Sequence, residues 1–312
     1  MDPQHVALMV ITFGAAIVNG ALGYGFSSLT VPLALLFLTN RVLNPALVPV
    51  EVVLNAYVLW VNRDALSTVW RRALPIVIGL APGVIVGTML VSRVSPGWLK
   101  FGTFIVLLPL ILIQAVGYRR PIKAERAVGY AFGGGVGLLY AVTTISGPPL
   151  AVLLSNQGFT KQDFRAALGF IRLAESSFTA ASYFYVGLYS ADSAALIPYI
   201  IPSIVLGVPI GGYVIKHVRP EVFRRICMSF DAWVVAYGLS GLLKELGLVQ
   251  SNAAYLLLAS VAMLDLAILY RFFAVQVPLL KQAEALALAS AASPPHPIAA
   301  SLPASGVVSA RD

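Results

Sequence analysis

Apolar residues run through the chain in eleven stretches, roughly 6–20, 25–38, 46–61, 73–91, 98–116, 127–143, 147–155, 166–187, 194–215, 222–243 and 253–272. Short polar, basic or proline-bearing breaks divide them. About 20 residues of helix cross the hydrocarbon core of a bilayer, so most of these stretches read as membrane-spanning helices. Two are too short to cross comfortably: 25–38 and 147–155. Each follows a glycine-rich helix through a break of small and polar residues. That pattern predicts re-entrant or broken helices, because irregular backbone survives at membrane depth only inside protein or beside water. The first stretch lacks a basic flank and a convincing cleavage site and reads as a retained helix. From 282 the composition turns to Ala, Ser and Pro, too poor in apolar area to offset the entropy of ordering, and predicts a disordered tail.

The stretches repeat. Tyr24, Ser27, Ser28, Leu29, Thr30 and Pro32 align with Tyr140, Thr143, Thr144, Ile145, Ser146 and Pro148 at a separation of 116. Gly83 and Gly87 align with Gly207 and Gly211 at 124, a register that also pairs Glu51 with Glu175 and Pro96 with Pro220. The expected organisation is a first transmembrane repeat over 1–117, a second over 118–250, an extra helix over 251–281 and a cytoplasmic tail over 282–312.

Composition changes the picture from helical to membrane-embedded. Charged residues make up 11% of the chain and hydrophobic ones 59%, against about 25% charged in a soluble domain. The formal charge of +8 is explained by basic cytoplasmic loops rather than by nucleic acid. Loops near 62–72, 117–126, 156–165, 216–225 and 271–281 hold fifteen of the 21 Lys and Arg, and the loops assigned to the other face hold four. This places the N-terminus outside and the C-terminus in the cytoplasm. It also puts the corresponding loops 92–100 and 216–225 on opposite faces, so the halves are inverted. The predicted fold is an all-α integral membrane protein of two inverted-topology repeats with re-entrant or broken helices, with about 8–10 crossings.

The glycine-rich first helix running into Ser27-Ser28-Leu29-Thr30-Val31-Pro32-Leu33, and the stretch Ile145-Ser146-Gly147-Pro148-Pro149-Leu150, resemble the TauE/SafE (sulfite exporter) family of membrane anion permeases. The resemblance spans roughly 6–272. Gly23-Tyr24-Gly25-Phe26 stands where the family usually has a Gly-Gly-Gly run. The resemblance implies movement of sulfite, organosulfonates or related sulfur compounds across a bacterial cytoplasmic (inner) membrane.

A small oxyanion entering the membrane needs replacements for its water. Free backbone N–H groups at a helix start supply them, and the helix dipole makes that end positive. The residues expected to line such a site are Ser27, Ser28, Thr30, Thr143, Thr144, Ser146 and Gly147. The competing reading is that these small residues merely allow close helix packing, with hydroxyls bonded to their own backbone. Arg172 and Glu175 lie three apart within an apolar helix and share a face. A charge at that depth calls for a cavity or a partner. The pair reads either as an internal ion pair or as an anion-attracting Arg172 beside a proton-carrying Glu175. Glu51 has no nearby Arg in the sequence and is the second candidate for proton coupling, with Asn55 one turn on as its expected hydrogen-bond partner. Asp231 and Asp265 read as structural or interface groups. Gly79, Gly83 and Gly87, with Ser203, Gly207 and Gly211, read as small-xxx-small packing ladders.

No Walker A loop is present. Cys227 is the single cysteine, and the three histidines are scattered, so no cofactor, metal site or catalytic residue is expected and the chain does not read as an enzyme. The leading expectation is a secondary transporter for a small sulfur-containing anion, coupled to protons. A passive anion channel, or a membrane assembly or scaffold protein, is the alternative. The expected partners are the small anion, the lipid bilayer and protons, with homo-oligomerisation left open and nucleic acid excluded.

Overall fold

A computed structural model of the chain describes residues 2–116, 126–155, 161–279 and 282. The loops 117–125 and 156–160 and the tail from 283, on which part of the charge count and the disorder expectation fall, lie outside the described residues. The chain divides into two units, Met1–Ile268 and Leu269–Asp312. In the second, α-helix gives way at Phe272–Gln276 to a π-helical turn.

Each of the eleven apolar stretches is a helix: α1 (Pro3–Leu22), α2 (Phe26–Ala34), α3 (Asn40–Val61), α4 (Leu66–Arg93), α5 (Pro96–Val116), α6 (Arg126–Thr143), α7 (Gly147–Ser155), α8 (Lys161–Val186), α9 (Ala191–Val214), α10 (Pro220–Glu245) and α11 (Leu256–Arg271). Local chemistry sets several ends. Asp2 caps α1 by accepting from Gln4 N at 3.0 Å, with Pro3 as the first helical residue, and Ser190 caps α9 through Ser193 N at 3.1 Å. Arg41 donates to the carbonyls of Val91, Ser92 and Val94 at 2.8–3.0 Å, closing the C-terminus of α4. Among the described residues seven helices are long and apolar enough to cross a membrane: α1, α3, α4, α5, α9, α10 and α11, some with their flanking turns. Of the rest, α6 is shorter and α8, at 26 residues, carries five charged side chains. The nine-residue α2 and α7 extend only about 13.5 Å each, less than half the hydrocarbon thickness.

Exchanging α1–α5 with α6–α10 maps the main packing pairs onto one another. α1 packs on α9 as α6 packs on α4, α3 on α9 as α8 on α4, and α2 on α10 as α7 on α5. α3 packs on α8, and α5 on α10. Both of these last pairs run antiparallel. Val58 and Leu59 meet Gly169 while Glu51 and Asn55 meet Arg172, and Gly97 meets Leu246 while Phe104 meets Gly238. α4 and α6 instead run parallel, as do α1 and α9. Glycine lets these pairs approach closely. A Cβ added at Gly79, Gly83 or Gly133 would fall 2.3, 2.0 or 2.2 Å from a carbonyl oxygen of the facing helix, and at Gly20 or Gly211 2.1 or 2.0 Å. Backbones this close gain dispersion contact that lipid cannot offer. Ser203 adds a bond to Met9 O at 3.1 Å. The packing ladders are therefore present as read from the sequence.

Two sequence expectations are revised by the helix ends. The two breaks, 23–25 and 144–146, correspond at a separation of 121 rather than 116. The same capping bond identifies them: Gly23 N donates to Asn19 O at 2.7 Å, and Thr144 N to Tyr140 O at 2.6 Å. Gly23 and Thr144 both adopt left-handed φ, 81° and 56°. Tyr24 thus lies in its break whereas Tyr140 lies within α6, and Tyr140 corresponds to Asn19. Arg225, counted among the loop cations, is 3% exposed and bonded to Asp265 at 2.7 Å. A guanidinium one turn into α10 finds the buried carboxylate of α11 instead of water.

Candidate functional site: a buried charge cluster between two helix breaks

The cluster forms where α3 and α8 cross beside the starts of α2 and α7. Glu51, at the middle of α3, is fully buried and holds three donors. Ser27 donates to its Oε1, Arg172 Nη2 lies 3.3 Å from the same oxygen, and Tyr140 Oη donates to Oε2 at 2.6 Å. Glu175, also fully buried, accepts from Ser146 Oγ through Oε2, while its Oε1 has no partner. None of Ser27, Glu51, Tyr140, Ser146, Arg172 and Glu175 exceeds 3% exposure, so the cluster is closed to both faces. Burying an ion pair this deeply is tolerable only with added hydrogen bonds, and Ser27 and Tyr140 provide them for Glu51.

This geometry corrects three expectations. Glu51 is the partner of Arg172 and not an unpaired carboxylate. Arg172 turns across to α3 and leaves Glu175 on its own helix with a serine alone. The shared i, i+3 face made the local pair look natural, but α3 presents Glu51 to Arg172 at hydrogen-bonding distance. Asn55 bonds Arg172 O at 3.3 Å and Ser176 Oγ at 3.5 Å, pinning α3 to α8, and does not bond Glu51.

The break residues divide by role. Ser27, in the first turn of α2, and Ser146, just ahead of α7, both reach a glutamate. Gly147, the first residue of α7, sits against Tyr24, where an added Cβ would lie 3.2 Å from that side chain; the two breaks therefore touch. Thr30, one turn beyond Ser27, is buried with no partner for Oγ1. The hydroxyls of Thr143 and Thr144 bond backbone carbonyls of Leu139 and Thr143, each at 2.7 Å, the local packing role. Ser28 faces the opposite way, into a small crevice.

Sequence reasoning missed Tyr140 as a site residue, although the tyrosine stood inside the repeat motif. It also missed Asn40, Asn44 and Tyr183. Asn40 and Asn44 donate to Val142 O at 3.3 and 2.7 Å, and Tyr183 donates to Ala141 O. The free carbonyls at the end of α6 are thus held by side chains of α3 and α8, as a helix end buried away from water requires. The signal was there: asparagines at i and i+4 at the start of a largely apolar helix.

Spare donors remain on the helices that carry the cluster. Arg172 Nε, Thr30 Oγ1 and Thr179 Oγ1 (one turn after Glu175) have no partner. Among the described residues no group of three or more His, Cys, Asp or Glu side chains could hold a metal ion.

Long apolar helices closing over a buried charge cluster define a multi-pass membrane protein. The profile of the sulfite exporter TauE/SafE family matches residues 8–238, and the chain belongs to that family. The chain matches no curated protein and no solved structure.

Proposed function

We propose that the chain is a proton-coupled secondary transporter for a small sulfur-containing anion, such as sulfite or an organosulfonate, in a bacterial cytoplasmic membrane. The observation that carries this reading is Arg172, a single cation bonded to Glu51 among spare donors where two helix breaks meet. An anion at this place competes with Glu51 for the guanidinium. Once displaced in a water-poor site, Glu51 must take a proton to avoid a second uncompensated negative charge. Anion binding and proton uptake are thereby linked. Glu175, with an oxygen that faces no donor, is the second group on which a proton can travel. Ser27, Thr30, Ser146 and the first N–H groups of α7 at Gly147 line the anion's place, while Ser28, Thr143 and Thr144 shape the breaks.

Two related halves inverted in the membrane fit this reading. Helices related by an axis along the membrane normal would run parallel; α3 and α8 run antiparallel, as do α5 and α10, which supports an axis in the membrane plane. The orientation has the N-terminus outside. Cysteines placed at Ser95 and Arg219 are expected to react with impermeant reagents from the outer and the inner face respectively. Labelling of both from one face defeats the inversion.

The deciding experiment is flux of sulfite, sulfonates, thiosulfate, sulfate and small carboxylates through purified protein in liposomes, with and without an imposed pH gradient. Uptake that follows the gradient is expected for at least one sulfur oxyanion. Uptake indifferent to the gradient identifies a passive channel.

A further inference from the structure

α2 separates two polar places. On one side Ser27 bonds Glu51. On the other, the adjacent Ser28 lines a crevice with about 30 Å³ of open space, shared with Tyr24, Gly25, Pro148, Arg224 and Asp231. The crevice therefore touches both helix breaks and α10. Asp231 is the group in it that nothing else explains. It lies in the interior of α10, 5% exposed, and its Oδ1 has no hydrogen-bond partner. A neighbouring charge of the same helix is resolved differently: Arg225 is committed to Asp265 of α11 at 2.7 Å, and Ser229 supports the same carboxylate at 3.4 Å. Arg224 is seven residues, hence about 10 Å along the helix, from Asp231. Of the elements around the carboxyl, α10 contributes Arg224 and Cys227, the first break contributes Tyr24, and α5 and α7 present only apolar side chains, Leu107, Ile111 and Pro149 among them.

We infer that Asp231 is a proton-binding group on the crevice side of the broken helices, exchanging its proton with water there, while Glu51 lies on the other side of α2. The inference rests on the transporter reading above and extends it, giving proton coupling a group outside the anion's place. An unpartnered carboxyl oxygen inside a bilayer is tolerated as the acid, which can itself donate into the crevice. When the crevice widens and admits water, the carboxylate can be solvated and the proton leaves. Only the O–H bond changes, so the step balances with water as acceptor. Because Ser27 and Ser28 are consecutive, any shift of the first turn of α2 alters both places at once.

Two measurements test this. Dicyclohexylcarbodiimide reacts with protonated carboxyls in apolar surroundings, so the intact full-length protein in liposomes is treated at pH 5 to 9 and mapped by mass spectrometry. Asp231 is expected to be modified in a pH-dependent way, with ion-paired Asp265 unmodified as the internal control. No modification at any pH overturns the inference. So does protection by sodium or potassium at constant pH, which would make the crevice a metal-cation site. The second measurement is flux through Asp231→Asn, which keeps the shape and removes the titration. The pH profile is expected to move or flatten while KM for the anion at the optimal pH stays within about twofold. An unmoved profile assigns Asp231 to structure alone. If wild-type flux shows no pH dependence, the transporter reading loses its coupling, and the labelling still decides whether Asp231 carries a proton.

Discussion

Glu51 and Glu175 occupy matching places in the two halves, 124 residues apart, and meet different fates. Both are fully buried, and each accepts from a serine at or next to the break that precedes it in the chain. Glu51 then gains hydrogen bonds from a guanidinium and a phenol, and Glu175 gains neither bond. The residues responsible can be named from the repeat itself. The counterpart of Arg172 at a separation of 124 is Val48, and the counterpart of Tyr140 at 121 is Asn19. Valine offers no donor, and Asn19 is too short to copy a tyrosine; its own Oδ1 is buried without a partner. Two near-copies of one framework thus become one saturated carboxylate and one undersupplied carboxylate. Two identical carboxylates facing one substrate would have no division of labour. These two can serve in turn, one as the group the anion displaces and the other as a proton carrier.

The largest effect that would test this contrast comes from its only cation. Arg172→Ala leaves Glu51 buried without a counter-charge, a change that costs about 3–5 kcal/mol. It is expected to abolish anion flux while the protein still reaches the membrane. Combining it with Glu51→Gln should restore much of the stability and none of the flux. Normal transport by Arg172→Ala would remove the arginine from the site. Next comes the comparison itself. Glu51→Gln strips Arg172 of its partner and is expected to lower stability by about 1–3 kcal/mol more than Glu175→Gln, as read from thermal unfolding in detergent. Glu175→Gln is expected to fold well and to lose the response of flux to a pH gradient. Equal stability costs for the two would mean that the carboxylates are not differently supplied. The last test concerns the hydrogen bond alone. Tyr140→Phe removes one donor to a carboxylate, about 1.5–3 kcal/mol, and Asn19→Ala should cost visibly less because the carboxylate of its own half does not depend on it.

Much of the fold was legible from the hydrophobic pattern because lipid leaves the backbone no partner but itself. A long apolar run in this setting must be a helix, and all eleven runs are. The two short ones, 25–38 and 147–155, announced the breaks for the same reason. The presence of Arg172, Glu51 and Glu175 at depth was equally plain, since charges are rare there. Their pairing was not. Spacing along one helix favours Arg172 with Glu175, and only the crossing of α3 over α8 brings Glu51 nearer. The offset of the breaks was misread at 116 because a run of hydroxyls looks alike in two alignments a few residues apart; the capping geometry of Gly23 and Thr144 separates them. Tyr140 was visible in the motif yet silent as to role, because its hydroxyl reaches a carboxylate 89 positions away in the chain.

The glycine ladders bind each leading broken helix to the opposite half: α1 lies along α9, and α6 along α4, with backbones so close that no side chain fits between them. The divide between the two copies in the chain is consequently not a plane of slippage in space. If the molecule rocks to expose its centre first to one compartment and then to the other, the pieces that travel together are these cross-linked couples, and the yielding joints are the three-residue gaps at 23–25 and 144–146. A bulky residue in a ladder would then do harm by prising apart a moving part, and a stiffer gap would do harm by freezing one.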